Sequence, residues 1–174
     1  MTVRWLEQLH KNQKGITLVE LLVVIAISSP IVYALSASIF QVFSVNAADT
    51  AHMTAVHEVE SAVHSIIPDA EMAQTVSGNL TDTNGIFLNW TNSWTNTVEN
   101  VTYKIQNGRL VRSYSYNGGL PTNTTLMQNI DNSPSLTSSN STNSTISFKI
   151  TATVSGFRTA IETRSFSVVR RSTP

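Results

Sequence analysis

A single carboxylate stands at the start of the long apolar run in this 174-residue chain. Glu20 is followed by no charged residue until Asp49, and residues 21–45 are 25 uncharged positions, 18 of them apolar. Placing a carboxylate in hydrocarbon costs roughly 2.5–3.5 kcal/mol on insertion scales. A Glu at the mouth of such a run therefore indicates that a partner exists for it.

The residues before the run form a short basic leader. Three basic residues outnumber Glu7 within residues 1–15, which gives this segment a net charge of +2. Positive residues hold the end that precedes an apolar segment in the cytoplasm. The run is long enough to cross a hydrocarbon core of about 30 Å. We therefore expect one membrane span over about residues 18–45, with the following part outside the cytoplasm.

Gly15, Ile16, Thr17-Leu18 and Glu20 occur in an order that resembles the prepilin signature of type IV pilins and type II secretion pseudopilins. The resemblance implies that a prepilin peptidase cuts after Gly15 and that the new amino terminus, Ile16, is N-methylated. It also implies that Glu20 pairs with the amino terminus of a neighbouring subunit. The implied partners are other pilin or pseudopilin subunits, contacted through the N-terminal helix, and an inner-membrane assembly platform. The implied location is the inner membrane, and then a pilus or pseudopilus.

An ordinary secretory signal peptide is the alternative for this segment, with Ser36-Ala37-Ser38 as its cleavage site. That alternative does not explain the position of Glu20. It also does not explain why a helical pattern continues, with Val56, Val59, Val63 and Ile66 or Ile67 on one stripe. We expect Pro68 to end this helix. The predicted division is a leader at 1–15, a long helix at 16–67 and a soluble β-rich head at 68–174.

Pro30 interrupts the apolar run and predicts a kink or a locally melted turn near residues 26–32. Major pilins often carry a proline in the equivalent helix, but at the position of Ala37 here. Phenylalanine is also commoner than Ile16 at the start of the mature chain. These differences favour a minor pilin or minor pseudopilin.

The head carries a clear hairpin signal at Asn107-Gly108, a two-residue type I′ turn between alternating runs. The resulting register pairs Ile105 with Leu110, Tyr103 with Arg112 and Val101 with Tyr114. This run is similar to a strand–turn–strand segment of minor pseudopilins of the J type, and an ordinary amphipathic hairpin is the alternative.

The C-terminal region predicts a second hairpin, which has a bend at Ser155-Gly156 and returns with Phe166 and Val168 on one face. Residues 85–90 and 125–130 are shorter strand candidates. Residues 131–145 are rich in Ser, Thr and Asn and predict a mobile loop. The expected fold is α+β, with one long helix packed against a small antiparallel sheet.

No constellation in the sequence favours an enzyme, and no cofactor is expected. His57, Glu60 and His64 lie near one helical stripe, but a single helix offers too few groups for a metal, and a solvated polar face explains them. Asp82 and Asp131 match no calcium loop. The formal net charge of zero argues against direct nucleic-acid binding.

The sequence therefore predicts a structural subunit of a type IV pilus or of a type II secretion or DNA-uptake pseudopilus. The alternative is a membrane-anchored or secreted binding protein with an adhesin-like β domain that is not processed at Gly15.

Overall fold

A computed structural model describes residues 16–135, 137–142 and 144–171. Within these residues one α-helix, α1 (Leu18–Met72), precedes eight β-strands. The strands are β1 (Thr75–Gly78), β2 (Ile86–Asn92), β3 (Thr97–Gln106), β4 (Arg109–Tyr116), β5 (Thr122–Met127), β6 (Ser138–Ser141), β7 (Thr145–Val154) and β8 (Ala160–Val169). The chain forms two compact units, divided between Ser44 and Val45.

The first unit contains the start of α1, and its apolar side chains are exposed. The helix continues through Pro30, so the locally melted turn predicted near residues 26–32 is wrong, and the alternative of a kink stays a prediction. Proline removes the hydrogen bond to the carbonyl of Ala26. The neighbouring Ser28 hydroxyl donates to the carbonyl of Ile25 at 3.4 Å, as hydroxyls do where proline weakens a helix.

The helix also runs past Pro68 to Met72, so the prediction that Pro68 ends it is wrong. The residues that follow Pro68 are held by tertiary contacts, because Asp69 and Ala70 are buried. Packing of this turn offsets the bond that proline removes. The helical part of the chain is therefore about one turn longer than predicted.

The second unit packs the rest of α1 against two antiparallel sheets. One sheet has the order β1-β2-β3-β4-β5 and the other has the order β6-β7-β8. A β-bridge between Ile130 and Ala152 connects the segment after β5 with β7. This arrangement confirms the predicted α+β class, a long helix on antiparallel strands, although the strands form two sheets where one was expected.

The hairpin at Asn107-Gly108 is confirmed in its turn and in its register. Both turn residues have positive φ, 52° and 71°, as a type I′ turn requires. Tyr103 pairs with Arg112, and the two neighbouring pairs also match the prediction. The second predicted hairpin is β7–β8, in which Phe148 pairs with Phe166 and the two rings stack at 5.3 Å. The shorter candidates correspond to β2 and β5.

The prediction of a mobile loop at residues 131–145 is wrong in part, because β6 lies within it and pairs with β7. Hydrogen bonds replace apolar packing there. The Ser139 hydroxyl accepts from the amide of Leu80 at 2.8 Å, and the amide of Ser139 donates to Asn79 Oδ1 at 3.2 Å. Polar residues can therefore form an ordered edge strand when their groups are paired.

The helix contributes a stripe of alternating alanine and larger aliphatic side chains to the core. Ala55, Val59, Ala62 and Ile66 are fully buried in a cluster with residues of both sheets. Val56 is half-buried and lies beside the stripe, so its predicted place on it is wrong. Alanines let the helix approach the sheets closely, and a search for large apolar residues overlooks them.

Candidate assembly site

The first turn of α1 brings together the described residues of the predicted site. Thr17 is the N-cap, because its hydroxyl accepts the amide of Glu20 at 3.2 Å and its carbonyl accepts the amide of Leu21 at 3.1 Å. A threonine followed three residues later by glutamate is a capping-box sequence. The helix therefore begins at Leu18, three residues after Gly15, which itself lies outside the described residues.

Glu20 lies in this first turn, where the partial positive charge of the helix terminus favours a carboxylate. The side chain is exposed, and among residues 16–135, 137–142 and 144–171 its carboxylate has no hydrogen-bond or ion-pair partner. Ile16 precedes it by four residues and is also exposed. The turn thus presents a carboxylate that an external cation can reach.

The surface that follows Glu20 is suited to an apolar environment. The helix contains an 18-residue window of mean hydropathy 2.3, none of it buried, and it is long and apolar enough to cross a membrane. Two of its serine hydroxyls are paired within the helix: Ser36 donates to the carbonyl of Val32 at 2.8 Å, and Ser38 to that of Ala34 at 2.9 Å. A polar group paired in this way costs little in hydrocarbon.

Asp69 fixes the last turn of α1 to the five-stranded sheet. Arg112 donates two hydrogen bonds to its carboxylate, at 2.7 and 2.9 Å, and the Tyr103 hydroxyl donates a third. Burial, and then the adjacent Asp69 carboxylate, raises the pKa of Tyr103 well above its usual range. The hydrogen bonds to Asp69 raise the pKa of Arg112. We call these three residues the helix lock.

Glu58 makes a second attachment between the helix and the head. Its carboxylate accepts the amides of Gln128 and Asn129 at 3.2 and 2.9 Å, and the Asn129 side-chain amide at 2.8 Å. The contact holds the segment that leaves β5. Together with the helix lock, it fixes residues 58–69 of α1 to the sheet.

The other candidate groups serve local structure. Among the described residues no three His, Cys, Asp or Glu side chains are placed to hold a metal ion. Glu60 lies 3.9 Å from Arg164, and both side chains are largely exposed. Asp82 accepts the amide of Asn79, and Asp131 accepts the amide of Ser133.

Neither attachment of the helix was predicted from the sequence. A signal for the helix lock was nonetheless present, because the predicted register places Arg112 on the buried face beside Tyr103. A half-buried guanidinium requires an anion. Asp69 was assigned to the chain beyond the helix and was therefore not considered. Glu58 had no comparable signal, since it binds backbone amides.

The chain was compared with known proteins. Residues 10–29 match the family described as the prokaryotic N-terminal methylation motif. No curated protein and no solved structure matches the chain. The motif supports a processed subunit of the type IV pilin or pseudopilin type. It implies processing by a prepilin peptidase and assembly with other subunits, and with the apolar helix it is consistent with a single-pass membrane anchor.

Proposed function

We propose that this chain is a minor pilin or pseudopilin, a structural subunit that is cut after Gly15, methylated on Ile16 and assembled into a fibre through α1. One observation carries the proposal. The methylation motif coincides with a helix that Thr17 caps, that holds Glu20 in its first turn and that then presents a long uncharged surface.

Before assembly, the uncharged part of α1 spans the inner membrane. The basic leader stays in the cytoplasm, and the β-rich head lies on the other side. Burial of the exposed apolar side chains in lipid stabilises this state. The carboxylate of Glu20 sits near the inner boundary, where water or lipid head groups still reach it.

In the fibre, the same apolar surface packs against the helices of neighbouring subunits. Glu20 then pairs with the ammonium group on Ile16 of a neighbour. The Coulomb energy of this pair rises several-fold as water is excluded. A subunit inserted at a wrong height would leave both charges buried without partners, at a cost of several kcal/mol. The pair therefore sets the axial register.

The minor class is favoured by Pro30 and Ile16, which differ from the residues commonest in major pilins. The β3–β4 hairpin is also similar to a segment of J-type minor pseudopilins. The proposal covers a pilus, a type II secretion pseudopilus and a DNA-uptake pseudopilus. Neighbouring genes for a secretin, a secretion ATPase or competence proteins distinguish these machines.

The substitution Glu20→Ala tests the proposal in the organism that produces the protein. We expect normal membrane insertion and normal cleavage, because the change removes only a charge from the helix. We also expect loss of incorporation, because the ammonium group of the neighbour has no counter-charge. Incorporation is measured as the amount of subunit in sheared or cross-linked fibres.

Asp49→Ala is the matched control, because it removes the next carboxylate along the same helix, beyond the apolar run. It should leave incorporation unchanged. Normal amounts of the Glu20→Ala chain in the fibre would contradict the proposal. Gly15→Leu should block cleavage and assembly together, whereas a binding protein that is not processed would tolerate both Gly15→Leu and Glu20→Ala.

A further inference from the structure

The head contains three Asn–Gly dipeptides, at residues 84–85, 107–108 and 117–118. In such a pair the backbone nitrogen of glycine can attack the side-chain amide carbon of asparagine, because glycine has no Cβ to hinder the approach. The sequence alone does not rank the three pairs, since the reacting groups are the same in each. Their surroundings in the structure differ.

The pair at 84–85 is held by packing and by a hydrogen bond of the glycine. Gly85 is buried, and its amide donates to the carbonyl of Asp82 at 2.9 Å. A Cβ atom on Gly85 would lie 2.1 Å from the carbonyl oxygen of Tyr103, so the backbone of β3 covers this residue closely. The Gly85 nitrogen therefore cannot turn toward the Asn84 side chain without breaking its own hydrogen bond.

The pair at 117–118 is held through the asparagine. Asn117 donates its backbone amide to the carbonyl of Val98 at 2.8 Å, and its side-chain Oδ1 accepts the amide of Val98 at 2.9 Å. Attack by the Gly118 nitrogen requires the Asn117 side chain to move, so the bond to Oδ1 must break first. A hydrogen bond of ordinary strength lowers the population of the free side chain by about two- to tenfold.

The pair at 107–108 has neither restraint. Both residues form the type I′ turn between β3 and β4, and Asn107 is exposed. Within the part of the chain that the structure describes, no hydrogen bond involves the Asn107 side chain or the Gly108 nitrogen. A Cβ atom on Gly108 would have nothing within 4 Å. The Gly108 carbonyl accepts the amide of Ile130 at 3.0 Å, which holds the peptide unit after Gly108 and leaves the Asn107–Gly108 unit free.

This free peptide unit can reach the geometry that the attack requires. Rotation of the central peptide converts a type I′ turn into a type II′ turn, both of which keep the flanking strands paired. In the type II′ turn the first central residue has a ψ of about −120°. At that angle the Gly108 nitrogen lies on the same side as the Cβ of Asn107, within reach of the amide carbon. The hairpin therefore does not have to unfold.

We propose that Asn107 is a site of spontaneous deamidation in the folded protein. The Gly108 nitrogen bonds to the Cγ of Asn107 and the Cγ–Nδ2 bond breaks. Nδ2 leaves as ammonia, with the proton that the Gly108 nitrogen loses. Water then opens the resulting succinimide at either carbonyl and gives aspartate or isoaspartate. One water is consumed for each ammonia released, and nothing is oxidised or reduced.

The two products affect the hairpin differently. Aspartate keeps the main chain, tolerates positive φ and adds a negative charge next to the turn. Isoaspartate carries the main chain through Cγ and so adds one backbone carbon to a two-residue loop. Because loop length selects the turn type and the register, this product should disturb the pairing of β3 with β4.

Peptide mapping of the full chain in detergent micelles measures the three sites separately. The chain is kept at mildly alkaline pH, either folded or in guanidinium chloride, and is sampled over time. Trypsin releases Asn107 within residues 105–109, and chymotrypsin releases the other pairs within residues 81–87 and 117–120. Mass spectrometry gives the amide lost at each site. An isoaspartyl methyltransferase with a labelled methyl donor measures the isoaspartate content.

We expect similar rates at the three sites in guanidinium chloride. In the folded chain, Asn107 should react at least about twofold faster than Asn117, which must first break a hydrogen bond. Asn84 should also react more slowly than Asn107. Equal rates at the three sites of the folded chain would overturn the inference, as would a faster reaction at Asn84 or Asn117. Deamidation of Asn107 only in the unfolded chain would overturn it as well.

Asn107→Gly is the matched control, because a Gly-Gly pair also fits a type I′ turn but has no side-chain amide. Circular dichroism should show an unchanged fold. The isoaspartate content of the folded variant should be lower by at least about half, as follows from the twofold faster reaction at Asn107. An unchanged isoaspartate content would contradict the assignment of this site.

Discussion

Asp69→Ala should lower the free energy of unfolding of the head by about 3 kcal/mol. Removing one partner of a buried ion pair costs about 3–5 kcal/mol. The lower end applies because the Arg112 side chain is 25 % exposed and keeps part of its hydration. The Tyr103 hydroxyl adds little, since without Asp69 it can donate its one proton to the carbonyl of Ser65, 3.0 Å away.

One effect of the Asp69→Ala substitution acts in the opposite direction. A carboxylate in the last turn of a helix faces the negative end of the helix dipole, so its removal stabilises the helix by about 0.3–1 kcal/mol. This gain is smaller than the loss of the helix lock. The net loss of about 2–3 kcal/mol should lower the urea midpoint by about 0.7–3 M, since the denaturant slope is usually 1–3 kcal/mol per M.

The assay is a urea melt of a fragment spanning Val45–Pro174, followed by the fluorescence of the buried Trp90. Glu60→Ala is the matched control, because it removes a helix carboxylate that lies 3.9 Å from an exposed Arg164. Exposed pairs contribute about 0–1 kcal/mol, so the control midpoint should barely move. Equal shifts for Asp69→Ala and Glu60→Ala would refute the assignment of the helix lock.

Three further predictions concern the same fragment. Because burial raises the pKa of Tyr103, the unfolded chain loses its phenolic proton first; stability should fall above about pH 10. Tyr103→Phe should reduce that slope by up to about 1.4 kcal/mol per pH unit in urea melts at graded pH, and an unchanged slope would contradict burial of the phenol. Gly85→Ala should lower the melting temperature more than Gly108→Ala. Both glycines have positive φ, but only at Gly85 would an added Cβ lie 2.1 Å from a backbone oxygen. Equal losses in melting temperature would contradict this packing. Ile105→Ala should lower the free energy of unfolding by about 1–3 kcal/mol, which is less than for a fully buried isoleucine. Lys104→Val, on the polar face, should be nearly neutral. Equal urea midpoints for the two variants would mean that the strand register is wrong.

The β3–β4 hairpin was predictable because its information is local. Asn107-Gly108 is one of few dipeptides that fit a type I′ turn, and the turn fixes the register of every following pair. The alternation of apolar and polar residues along β7 and β8 is also a local signal. The start of α1 is likewise set by nearby residues, since Thr17 supplies the cap.

The errors arose where distant contacts override local preference. Pro68 should end a helix by its own chemistry, but burial of Asp69 and Ala70 carries the helix on. Residues of β6 have no apolar pattern, and their order depends on Asn79, which is 60 residues from Ser139. Such pairings leave no periodic signal in the sequence.

The candidate assembly site also has a part that the local sequence predicts and a part that depends on distant contacts. The motif around Glu20 was readable because assembly chemistry requires a charge in an otherwise uncharged run. The helix lock has no such motif, because it joins Asp69 to Tyr103 and Arg112, which lie 34 and 43 residues further along the chain.

The mass of the protein extracted from its membrane tests the central claim most directly. We predict a chain that begins at Ile16 and carries one added methyl group on its amino terminus, as measured by intact-mass and N-terminal fragment spectra. A mature chain that begins near Ala37 or Ile39 would contradict the account and support a secretory signal peptide. A chain that retains Met1 would also contradict it and indicate a plain membrane anchor.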